Sequence, residues 1–529
     1  METRDSLTGR HLIAGEWVTA DGGRVRAVNP VTAEPLNPAF CQATELQVDA
    51  ALRAAADAAA QTRGLPGADW AALLDDIADR IEALGDTLMI RANEETALPL
   101  ARLESERART CFQLRLYGQE AREGSWVDAV IDHGDPARQP LPKPDVRRML
   151  RPLGPVVVFD ASNFPFAYGG CGGDTASALA AGNPVIVKAH PGHPGTDELF
   201  AEVVLAAIRA AGLPPGLFGM LQGATAESGS ALVRHPLTEA VGFTGSLRGG
   251  RALFDIASSR PRPIPVYAEM GSLNPLVVLP GALAERGDAI ADGLSQSITG
   301  GVGQFCTKPG LVLVIEGPDT ERFIQGLKAR MAAIPAGTML NSAIQTGFRK
   351  VTQGFPGVAG VKVHLEPSCS GYTDATPGLF EVDASTFIAR PELREEAFGP
   401  AALVVRCRDL AGLLDSIAAA SGQLTGTVHA GASDDLKVVA AVADALERGV
   451  GRLVYNGYPT GLEVCRAMMH GGPYPATTAP ATTSVGTSAL VRFARPVAFQ
   501  NTPDALLPPA LREANPLGIR RMVDGVLIA

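Results

Sequence analysis

The stretch that indicates the fold is residues 154–190, GPVVVFDASNFPFAYGGCGGDTASALAAGNPVIVKAH. Two continuous apolar runs, GPVVVF and NPVIVK, lie on either side of a segment of small residues, GDTASALAAG. A short run rich in valine and isoleucine is typical of a strand that is buried on both faces of a sheet. The segment between the runs predicts a helix, and the whole stretch therefore predicts a β–α–β unit with parallel strands.

The same alternation continues through much of the chain. After the first unit come a helix-like segment and two further apolar runs, at 197–214, 217–223 and 239–246. A second series starts near Pro275, with apolar runs and one helix-like segment at 276–280, 311–317, 401–407 and 320–334. The predicted fold class is α/β, with two parallel, Rossmann-type domains that bind ligands at the carboxyl ends of their strands.

The remaining segments are less regular. Residues 11–30, HLIAGEWVTADGGRVRAVNP, alternate around a Gly-Gly pair and predict a hairpin that turns there. Residues 45–124 have helical spacing, whereas residues 135–150, DPARQPLPKPDVRRML, are too rich in proline for a helix and predict an excursion from the compact domain. From residue 471 onward the periodicity fades.

Composition limits the possible classes of protein. A chain of 529 residues predicts two or three domains, and 46% hydrophobic against 19% charged residues is typical of a globular protein. The net charge of −10, without a block of Lys or Arg, argues against nucleic acid or an anionic membrane as a main partner. The first residues, METRDSLTGRHLIAGEW, lack an apolar run with a cleavage site, so we expect no secretory signal there. No apolar run approaches about 20 residues, so we expect no membrane span.

The seven cysteines are scattered and odd in number, and no pair has C-x-x-C spacing. His470 follows Cys465 closely, but no second cysteine is near enough to complete a zinc site, so no metal is expected. Free thiols of this kind are typical of a reducing compartment, and we expect a cytoplasmic protein.

One cysteine, Cys306, lies in an unusual setting, GGVGQFCTKPG (300–310). A buried structural cysteine usually has apolar neighbours, whereas glycines allow another group to approach the backbone closely. Two interpretations remain open: an irregular loop with an incidental thiol, or a nucleophile that is presented to a substrate.

Several polar residues follow predicted strands. Gly245 and Ser246 connect a strand to a helix, and the free N–H groups of such a turn can hold phosphate. The same turn can be an ordinary connection, and the fingerprint G-x-G-x-x-G is absent. Lys188 ends another run, where it could bind a ribose or a phosphate or extend to solvent.

Two further residues at strand ends could do chemistry. Glu269, in YAEMGSLNP, ends a buried run, and a half-buried glutamate with a raised pKa suits a general base, although a surface glutamate is an equal alternative. Asn163, in DASNFPF, could donate a hydrogen bond to a developing oxyanion or be a turn residue. With Cys306, these residues supply a nucleophile, a base, an oxyanion donor and a phosphate turn.

In this order, six short motifs resemble the aldehyde dehydrogenase superfamily along nearly the whole chain: NFP (163–165), VIVK (185–188), FTGS (243–246), EMG (269–271), GQFC (303–306) and EEAFGP (395–400). Within that family, GQFCTKPGLV and residues 456–478 resemble a subgroup that oxidises α-ketoglutarate semialdehyde, also called 2,5-dioxovalerate. NADP-dependent enzymes for fatty aldehydes belong to the same subgroup and are the alternative.

The resemblance also implies the domain organisation. It implies an NAD(P)-binding domain, a catalytic domain, and a bridging oligomerisation element, which comprise residues 1–134 with 154–274, residues 275–475, and residues 135–153 with 476–529. In the family the bridging element pairs subunits by strand addition, so a homodimer or homotetramer is expected.

The resemblance implies a role for each candidate. Cys306 would attack the aldehyde carbon as a thiolate, and the Asn163 side chain and the Cys306 N–H would hold the oxyanion. A hydride would pass to the nicotinamide and leave a thioacyl-enzyme, which Glu269 would hydrolyse by activating water. The cofactor contacts would be Lys188, Gly245, Ser246, Glu396 and Phe398.

Cofactor choice follows from one departure from the family pattern. Relatives that prefer NAD usually carry a glutamate three residues after the lysine, and here Pro191 occupies that place. Without that carboxylate a 2′-phosphate is not repelled, so NADP should be accepted as well as NAD. His190 and His193 are expected to be exposed loop side chains.

Substrate choice depends on a helix that the family places at the mouth of the substrate tunnel. Arg109 and Gln113 share one face of it, and Arg109 could bind a substrate carboxylate through its planar guanidinium. The alternative is a solvated helix face on which Arg109 pairs with Glu106. A non-catalytic binding protein is a third possibility, against which the joint presence of a nucleophile, a base and an oxyanion donor argues.

Overall fold

The structure is a computed structural model, and it describes residues 7–528. The strands are β1 (His11–Ile13), β2 (Glu16–Val18), β3 (Arg24–Val25), β4 (Phe40–Cys41), β5 (Val130–Asp132), β6 (Val146–Pro152), β7 (Val156–Phe159), β8 (Val185–Lys188), β9 (Phe218–Leu221), β10 (Ala240–Thr244), β11 (Val266–Glu269), β12 (Leu276–Val278), β13 (Leu311–Ile315), β14 (Gly337–Thr338), β15 (Lys362–Leu365), β16 (Asp374–Ala375), β17 (Gly378–Asp383), β18 (Ala401–Cys407), β19 (Gln423–His429), β20 (Val450–Tyr455), β21 (Ala494–Gln500), β22 (Arg521–Val523) and β23 (Val526–Ile528).

The α-helices are α1 (Glu45–Thr62), α2 (Gly67–Ala83), α3 (Asp86–Thr96), α4 (Leu100–Glu123), α5 (Gly173–Ala180), α6 (Pro194–Ala210), α7 (Ala226–Arg234), α8 (Leu247–Ser258), α9 (Pro280–Thr299), α10 (Thr320–Ala332), α11 (Ser342–Gly354), α12 (Ala384–Ala389), α13 (Leu410–Ala419) and α14 (Leu436–Glu447). Helix α5 is buried on every side, which explains why its residues are small: neighbouring elements approach it from all directions.

The first sheet has the strand order β11-β10-β7-β8-β9-β1-β2. The five strands from β11 to β9 are parallel, as the β–α–β pattern predicts, and β1 and β2 continue the sheet antiparallel. Lys188 lies opposite Phe159, Phe159 opposite Phe243, and Thr244 opposite Glu269. Four neighbouring strands therefore end at nearly the same level.

Both faces of this sheet are covered. Successive side chains of a strand point to opposite faces, so neighbouring residues of β7 show what packs on each face. Val156 and Val158 pack in a cluster with helices α2, α4, α5 and α6, whereas Val157 packs with α1. This burial on both faces explains the continuous apolar run that first indicated the fold.

The second sheet has the order β15-β17-β18-β13-β12-β19-β20, and every neighbouring pair is parallel except β15 with β17. The apolar runs of the second series are its strands β12, β13 and β18. Apolar clusters lie on both of its faces. The predicted fold class, with two parallel α/β units, is confirmed.

A third sheet has the order β21-β6-β5-β22-β23. The proline-rich excursion ends in β6, which pairs along seven residues with β21. Strands β21 and β22 show no clear periodicity in the sequence, because they form by pairing with the distant strands β6 and β5; β23 pairs with β22. The domain boundaries and the role of this sheet in subunit pairing stay predictions.

The amino-terminal hairpin differs from the prediction. Strands β1 and β2 are joined at Ala14 and Gly15, both with positive φ, and not at the Gly-Gly pair. Gly22 and Gly23 instead precede β3, which pairs with β4. A Cβ on Gly22 would lie 2.4 Å from the Gln42 carbonyl oxygen, so this glycine is needed for close packing.

Candidate active site

The predicted site residues of the first sheet lie at one edge of it. Glu269 and Lys188 end β11 and β8, while Gly245 and Asn163 follow β10 and β7. These four strands are neighbours and end at nearly the same level. Cys306 lies before β13, and so comes from the amino-terminal edge of the second sheet. The site is therefore built where the edges of the two sheets meet.

The Cys306 loop is held from two sides, and Cys306 itself is half-buried. Gly303 has φ +66°, and a Cβ built on it would lie 2.3 Å from the backbone of Gly399. Asn274 Nδ2 donates to the carbonyl oxygens of Cys306 and Lys308, each at 2.9 Å. The sequence suggested that glycines here make room for ligands. In the structure Gly303 makes room for the protein's own backbone.

Lys308 is a fully buried cation two residues beyond Cys306. Its ammonium donates to the carbonyl oxygens of Ala397 and Ala401, both at 2.9 Å. Burial lowers the pKa of Lys308 to about 8, although the neighbouring Glu396 carboxylate acts in the opposite direction. Lys308 thereby ties the Cys306 loop to the EEAFGP loop, a role that the sequence did not reveal.

Asn163 lies next to the Cys306 loop, because its Nδ2 donates to the Gln304 carbonyl oxygen at 2.9 Å. An amide nitrogen carries two hydrogens, so the second can serve another acceptor. Helix α4 fixes this segment: Arg102 donates to the Asn163 carbonyl oxygen at 2.8 Å, and the Glu106 carboxylate accepts from two backbone N–H groups further along.

Glu269 is buried at the end of β11. Ser484 Oγ donates to its Oε2 at 2.9 Å, and His470 Nε2 lies 3.1 Å from its Oε1. The raised pKa that would suit a general base is not found here. Burial acts to raise the pKa of Glu269, but the charge and contact of His470 and the hydrogen bond from Ser484 outweigh it and lower the pKa below its usual value. The carboxylate is therefore ionised at neutral pH, the form that accepts a proton.

His470 is the residue of this site that the sequence analysis missed. It is buried, and its Nε2 lies 3.6 Å from Cys306 Sγ as well as close to Glu269. Its backbone N–H donates to Thr483 Oγ1 at 2.9 Å, and its carbonyl oxygen accepts from the Ser484 N–H at 2.8 Å. The sequence considered this histidine only as a partner of a nearby cysteine, whereas its actual partners are distant in the chain.

The Cys306 thiol needs a proton acceptor. Burial raises the pKa of Cys306 well above its usual value, and the negative charge of Glu269 adds to the effect, while the charge of Arg109 opposes it. The thiolate is the reactive form of cysteine. The Glu269 carboxylate, which is ionised and contacts the thiol, is placed to take the proton.

Gly245 and Ser246 form an exposed turn at the start of helix α8. Ser246 caps the helix, since its Oγ accepts from the Gly249 N–H at 3.2 Å. The Gly245 N–H donates to the Glu269 carbonyl oxygen at 3.0 Å, which places the turn beside the candidate base. An exposed helix amino terminus suits an anionic group such as phosphate.

Lys188 is buried and does not extend to solvent, which excludes one of its two interpretations. Its ammonium donates to the carbonyl oxygen of Ala189 at 2.9 Å and to that of Gly223. Burial lowers the pKa of Lys188 to about 8. A buried ammonium whose hydrogen-bond acceptors are neutral carbonyls has capacity for a further oxygen ligand.

The two loop histidines differ from the prediction. His193 is fully buried: its Nδ1 lies 3.1 Å from Asp197 Oδ2, and its Nε2 lies 2.9 Å from the Ala161 carbonyl oxygen. His190 is half-buried, with its ring stacked on His193 at 5.1 Å between centroids. The prediction that both are exposed is wrong. His193 lies in the core in contact with the buried Asp197 carboxylate, and His190 packs against His193.

Glu396 and Phe398 are half-buried in the loop before β18. A Cβ built on Gly271 would lie 2.5 Å from a Glu396 carboxylate oxygen, so the glycine of the EMG motif leaves the space that Glu396 fills. Burial raises the pKa of Glu396, against the effect of the Lys308 ammonium. The structure thus brings the two motifs into contact.

Arg109 and Gln113 lie on one face of α4, as predicted. Arg109 Nε donates to Gln113 Oε1 at 3.2 Å, and a terminal nitrogen donates to the Tyr168 hydroxyl at 3.3 Å. The alternative, an ion pair of Arg109 with Glu106, is wrong: the cation next to Glu106 is Arg102, at 3.8 Å. Arg109 is half-buried and therefore does not belong to a solvated helix face.

Aromatic and cationic side chains form a wall beside Cys306. The ring of Phe164 lies 5.6 Å from those of both Phe305 and Tyr168. Arg102 lies over Phe164 and Phe305 at 4.6 and 4.7 Å, and Arg109 lies over Phe164 and Tyr168 at 5.5 Å each. The wall thus offers apolar surface for a carbon chain and guanidinium groups for an anion.

This fold and site belong to a known class of enzymes. Residues 17–355 match the family model described as aldehyde dehydrogenase family, and the chain belongs to that family. The resemblance seen in the motifs is confirmed. Members of this family oxidise aldehydes to carboxylic acids with NAD(P), and the chain is an oxidoreductase of this type.

Two curated relatives cover nearly the whole chain. Alpha-ketoglutaric semialdehyde dehydrogenase 2 of Azospirillum brasilense is 51% identical over 98% of this chain and 99% of its own. Alpha-ketoglutaric semialdehyde dehydrogenase of Acinetobacter baylyi is 43% identical over 98% of both. In fold, the chain is similar to a Thermus 1-pyrroline-5-carboxylate dehydrogenase with bound NAD, with a TM-score of 0.77 and 23% identity over 93% of this chain and 92% of that one. No helix within residues 7–528 is long and apolar enough to cross a bilayer.

Proposed function

We propose that the chain oxidises α-ketoglutarate semialdehyde to 2-oxoglutarate through a thioacyl intermediate on Cys306. The observation that carries the proposal is the convergence of a thiol, an imidazole and a carboxylate within 4.8 Å, beside the Asn163 amide. The names of the two curated relatives support the substrate.

The first chemical step is attack on the aldehyde. The ionised Glu269 carboxylate accepts the proton of the Cys306 thiol, which it contacts, and passes it to solvent. The thiolate then bonds to the aldehyde carbon, and the carbonyl oxygen becomes an oxyanion. The second Nδ2 hydrogen of Asn163 and the Cys306 backbone N–H donate to this oxygen and stabilise it.

The residues at the edge of the first sheet fit NAD(P). An exposed helix amino terminus and a buried ammonium with neutral partners suit the phosphates and hydroxyls of a dinucleotide. When bound, NAD(P)⁺ would supply the hydride acceptor: the oxyanion collapses, the aldehyde C–H bond breaks with loss of a hydride, and a thioester remains on Cys306. The residues that would hold it are Gly245 and Ser246 at the pyrophosphate, Lys188 at a ribose, Glu396 at the nicotinamide ribose and Phe398 at the ring.

Glu269 completes the reaction. Its carboxylate is ionised at neutral pH and accepts a proton from a water molecule, whose oxygen attacks the thioester carbon. The carbon–sulfur bond breaks, the acid leaves and the Cys306 sulfur is regenerated. The hydrogen bond from Ser484 and the contact with His470 hold the carboxylate in place.

Arg109 is the proposed anchor for the substrate carboxylate, with Gln113 holding its guanidinium. A guanidinium has five N–H donors, and the Gln113 and Tyr168 contacts use two of them. A tunnel for fatty aldehydes would expose apolar side chains alone. Here Arg102 and Arg109 both lie over the aromatic wall, which favours an anionic substrate.

The test is oxidation of α-ketoglutarate semialdehyde, succinic semialdehyde and a medium-chain neutral aldehyde side by side, with Cys306→Ala as the control. We expect the highest kcat/KM for the keto-acid semialdehyde and no activity in the control. Preference for the neutral aldehyde would assign the fatty aldehyde alternative. Activity that survives Cys306→Ala would refute the thioacyl mechanism.

We also propose that the enzyme accepts NADP as well as NAD, because Pro191 replaces the carboxylate that would repel a 2′-phosphate. Pro191→Glu should lower kcat/KM with NADP by about tenfold or more and spare NAD, since unfavourable placement of like charges costs several kcal/mol. Equal effects on both cofactors would contradict this assignment.

The predicted homodimer or homotetramer has open strand edges to form from. Strand β21 is the edge of the third sheet and β20 the edge of the second, and Leu453 and Tyr455 on β20 are exposed. We propose strand addition between these edges in two copies of the chain, within the domain boundaries given above. Light scattering after size exclusion tests it, and a monomer would refute it.

A further inference from the structure

The nucleophile and two neighbouring side chains have the identities and the spacing of a metal site. Cys306 Sγ, His470 Nε2 and one Glu269 oxygen all lie within 4.8 Å of one another. The sulfur and the nitrogen are 3.6 Å apart, and the nitrogen and the oxygen 3.1 Å. Neighbouring ligand atoms of a tetrahedral zinc ion are about 3.3–3.6 Å apart, so small shifts would let all three share one ion.

The surroundings also favour a cation. Glu269 Oε1 is buried beside His470 Nε2, at 3.1 Å, so a carboxylate oxygen shielded from solvent faces the other two side chains. Thiolate and imidazole ligands select Zn²⁺ over Mg²⁺ or Ca²⁺. Cys306 is half-buried, so solvent can reach a fourth position.

We propose that Cys306, His470 and Glu269 bind Zn²⁺, with a water molecule as the fourth ligand, and that the ion inhibits the enzyme reversibly by occupying the nucleophile. The binding is independent of the proposed function, whereas the inhibition rests on it. No metal was expected from the sequence, because the three ligands of this site come from separate parts of the chain. Cys465, the cysteine near His470 in the sequence, is not one of them.

Binding requires the thiolate. The S–H bond breaks, a zinc–sulfur bond forms and the proton passes to solvent. About one proton is therefore released for each ion that binds to the protonated thiol.

The test uses Co²⁺ as a spectroscopic substitute for Zn²⁺, with the full-length, cofactor-free protein. We expect one Co²⁺ per chain, a thiolate-to-cobalt charge-transfer band, and displacement of Co²⁺ by Zn²⁺. Cys306→Ala should remove the band, and His470→Ala should weaken binding by at least about 100-fold. Cys369→Ala, which removes another half-buried thiol, should change neither. No band, or a band that survives both site substitutions, would overturn the proposal.

Alkylation of the unmodified protein gives a second measurement that does not depend on a variant's folding. Zn²⁺ should slow the reaction of Cys306 with iodoacetamide at least about tenfold, and EDTA should reverse this; no protection would contradict the site. A protein that binds Co²⁺ as described but oxidises no aldehyde would keep the site and refute the proposed function. An active enzyme without the cobalt band would do the opposite.

Discussion

Replacement of Arg109 by alanine tests how the enzyme recognises its substrate. The guanidinium is half-buried, lies over two aromatic rings and retains free N–H donors beside the nucleophile. A hydrogen bond to a charged group contributes about 1.5–3 kcal/mol, and each 1.4 kcal/mol is a factor of about ten. We therefore expect KM for α-ketoglutarate semialdehyde to rise about 10- to 150-fold, and KM for a neutral aldehyde to change less than about threefold.

The assay measures steady-state reduction of the cofactor with both aldehydes, at saturating cofactor. Arg115→Ala is the matched control: it lies on the same helix, but pairs with Glu82 and Asp79 of helix α2, and it should leave both KM values unchanged. Arg109→Lys keeps the charge without the planar fork and should give an intermediate KM.

Two results would refute this reasoning. Equal losses with the charged and the neutral aldehyde would mean that Arg109 supports the site through Gln113 and Tyr168 without binding the carboxylate. An unchanged KM for both aldehydes would mean that another residue of the wall binds the substrate carboxylate, and Arg102 would be the next residue to test.

Three further predictions concern the Cys306 loop. Gly303→Ala should lower the free energy of unfolding by about 2–5 kcal/mol, because Gly303 has a positive φ and its Cβ would clash with backbone. Gly212→Ala is the control: Gly212 has φ +65° but open space around it, so the loss should be only about 1–2 kcal/mol. Equal losses in urea unfolding would contradict the close packing at Gly303. Lys308→Met should lower the free energy of unfolding by about 2 kcal/mol or more, because two buried carbonyls lose their donor. Lys350→Met, at an exposed position, should leave it almost unchanged. Similar urea midpoints for the two variants would contradict this prediction. Because the pKa of Cys306 is raised, its thiolate fraction rises with pH, so its alkylation in the cofactor-free enzyme should accelerate about tenfold per pH unit from 7 to 9; a plateau in that range would contradict the shift.

Much of the fold could be read from the sequence, because the strands of a parallel sheet buried on both faces are continuous apolar runs. Strands β7, β8, β12, β13 and β18 all fall on such runs. Strands β21 and β22 could not be predicted in this way, since their stability comes from pairing with distant segments. The hairpin turn was misplaced because a Gly-Gly pair is a strong turn signal, even where, as here, the glycines are needed for packing.

The candidate site, too, could be predicted only in part from the sequence. Lys188, Gly245 and Glu269 could be placed together because the carboxyl ends of neighbouring parallel strands meet at one edge. His470 could not be placed, since it lies in a segment without periodicity and meets Cys306 only in three dimensions. For the same reason the direction of the Glu269 pKa could not be read from the sequence: burial was foreseen, and the contacts of His470 and Ser484 with the carboxylate were not.

The central claim is that Cys306 carries the acyl group and that Glu269 removes it. The most direct test is the intact mass of Glu269→Gln after incubation with NADP⁺ and α-ketoglutarate semialdehyde, followed by peptide mapping. The mechanism predicts a mass increase of one acyl group on the peptide that contains Cys306, together with about one equivalent of reduced cofactor. Reduced cofactor without an adduct, or an adduct on another residue, would contradict it.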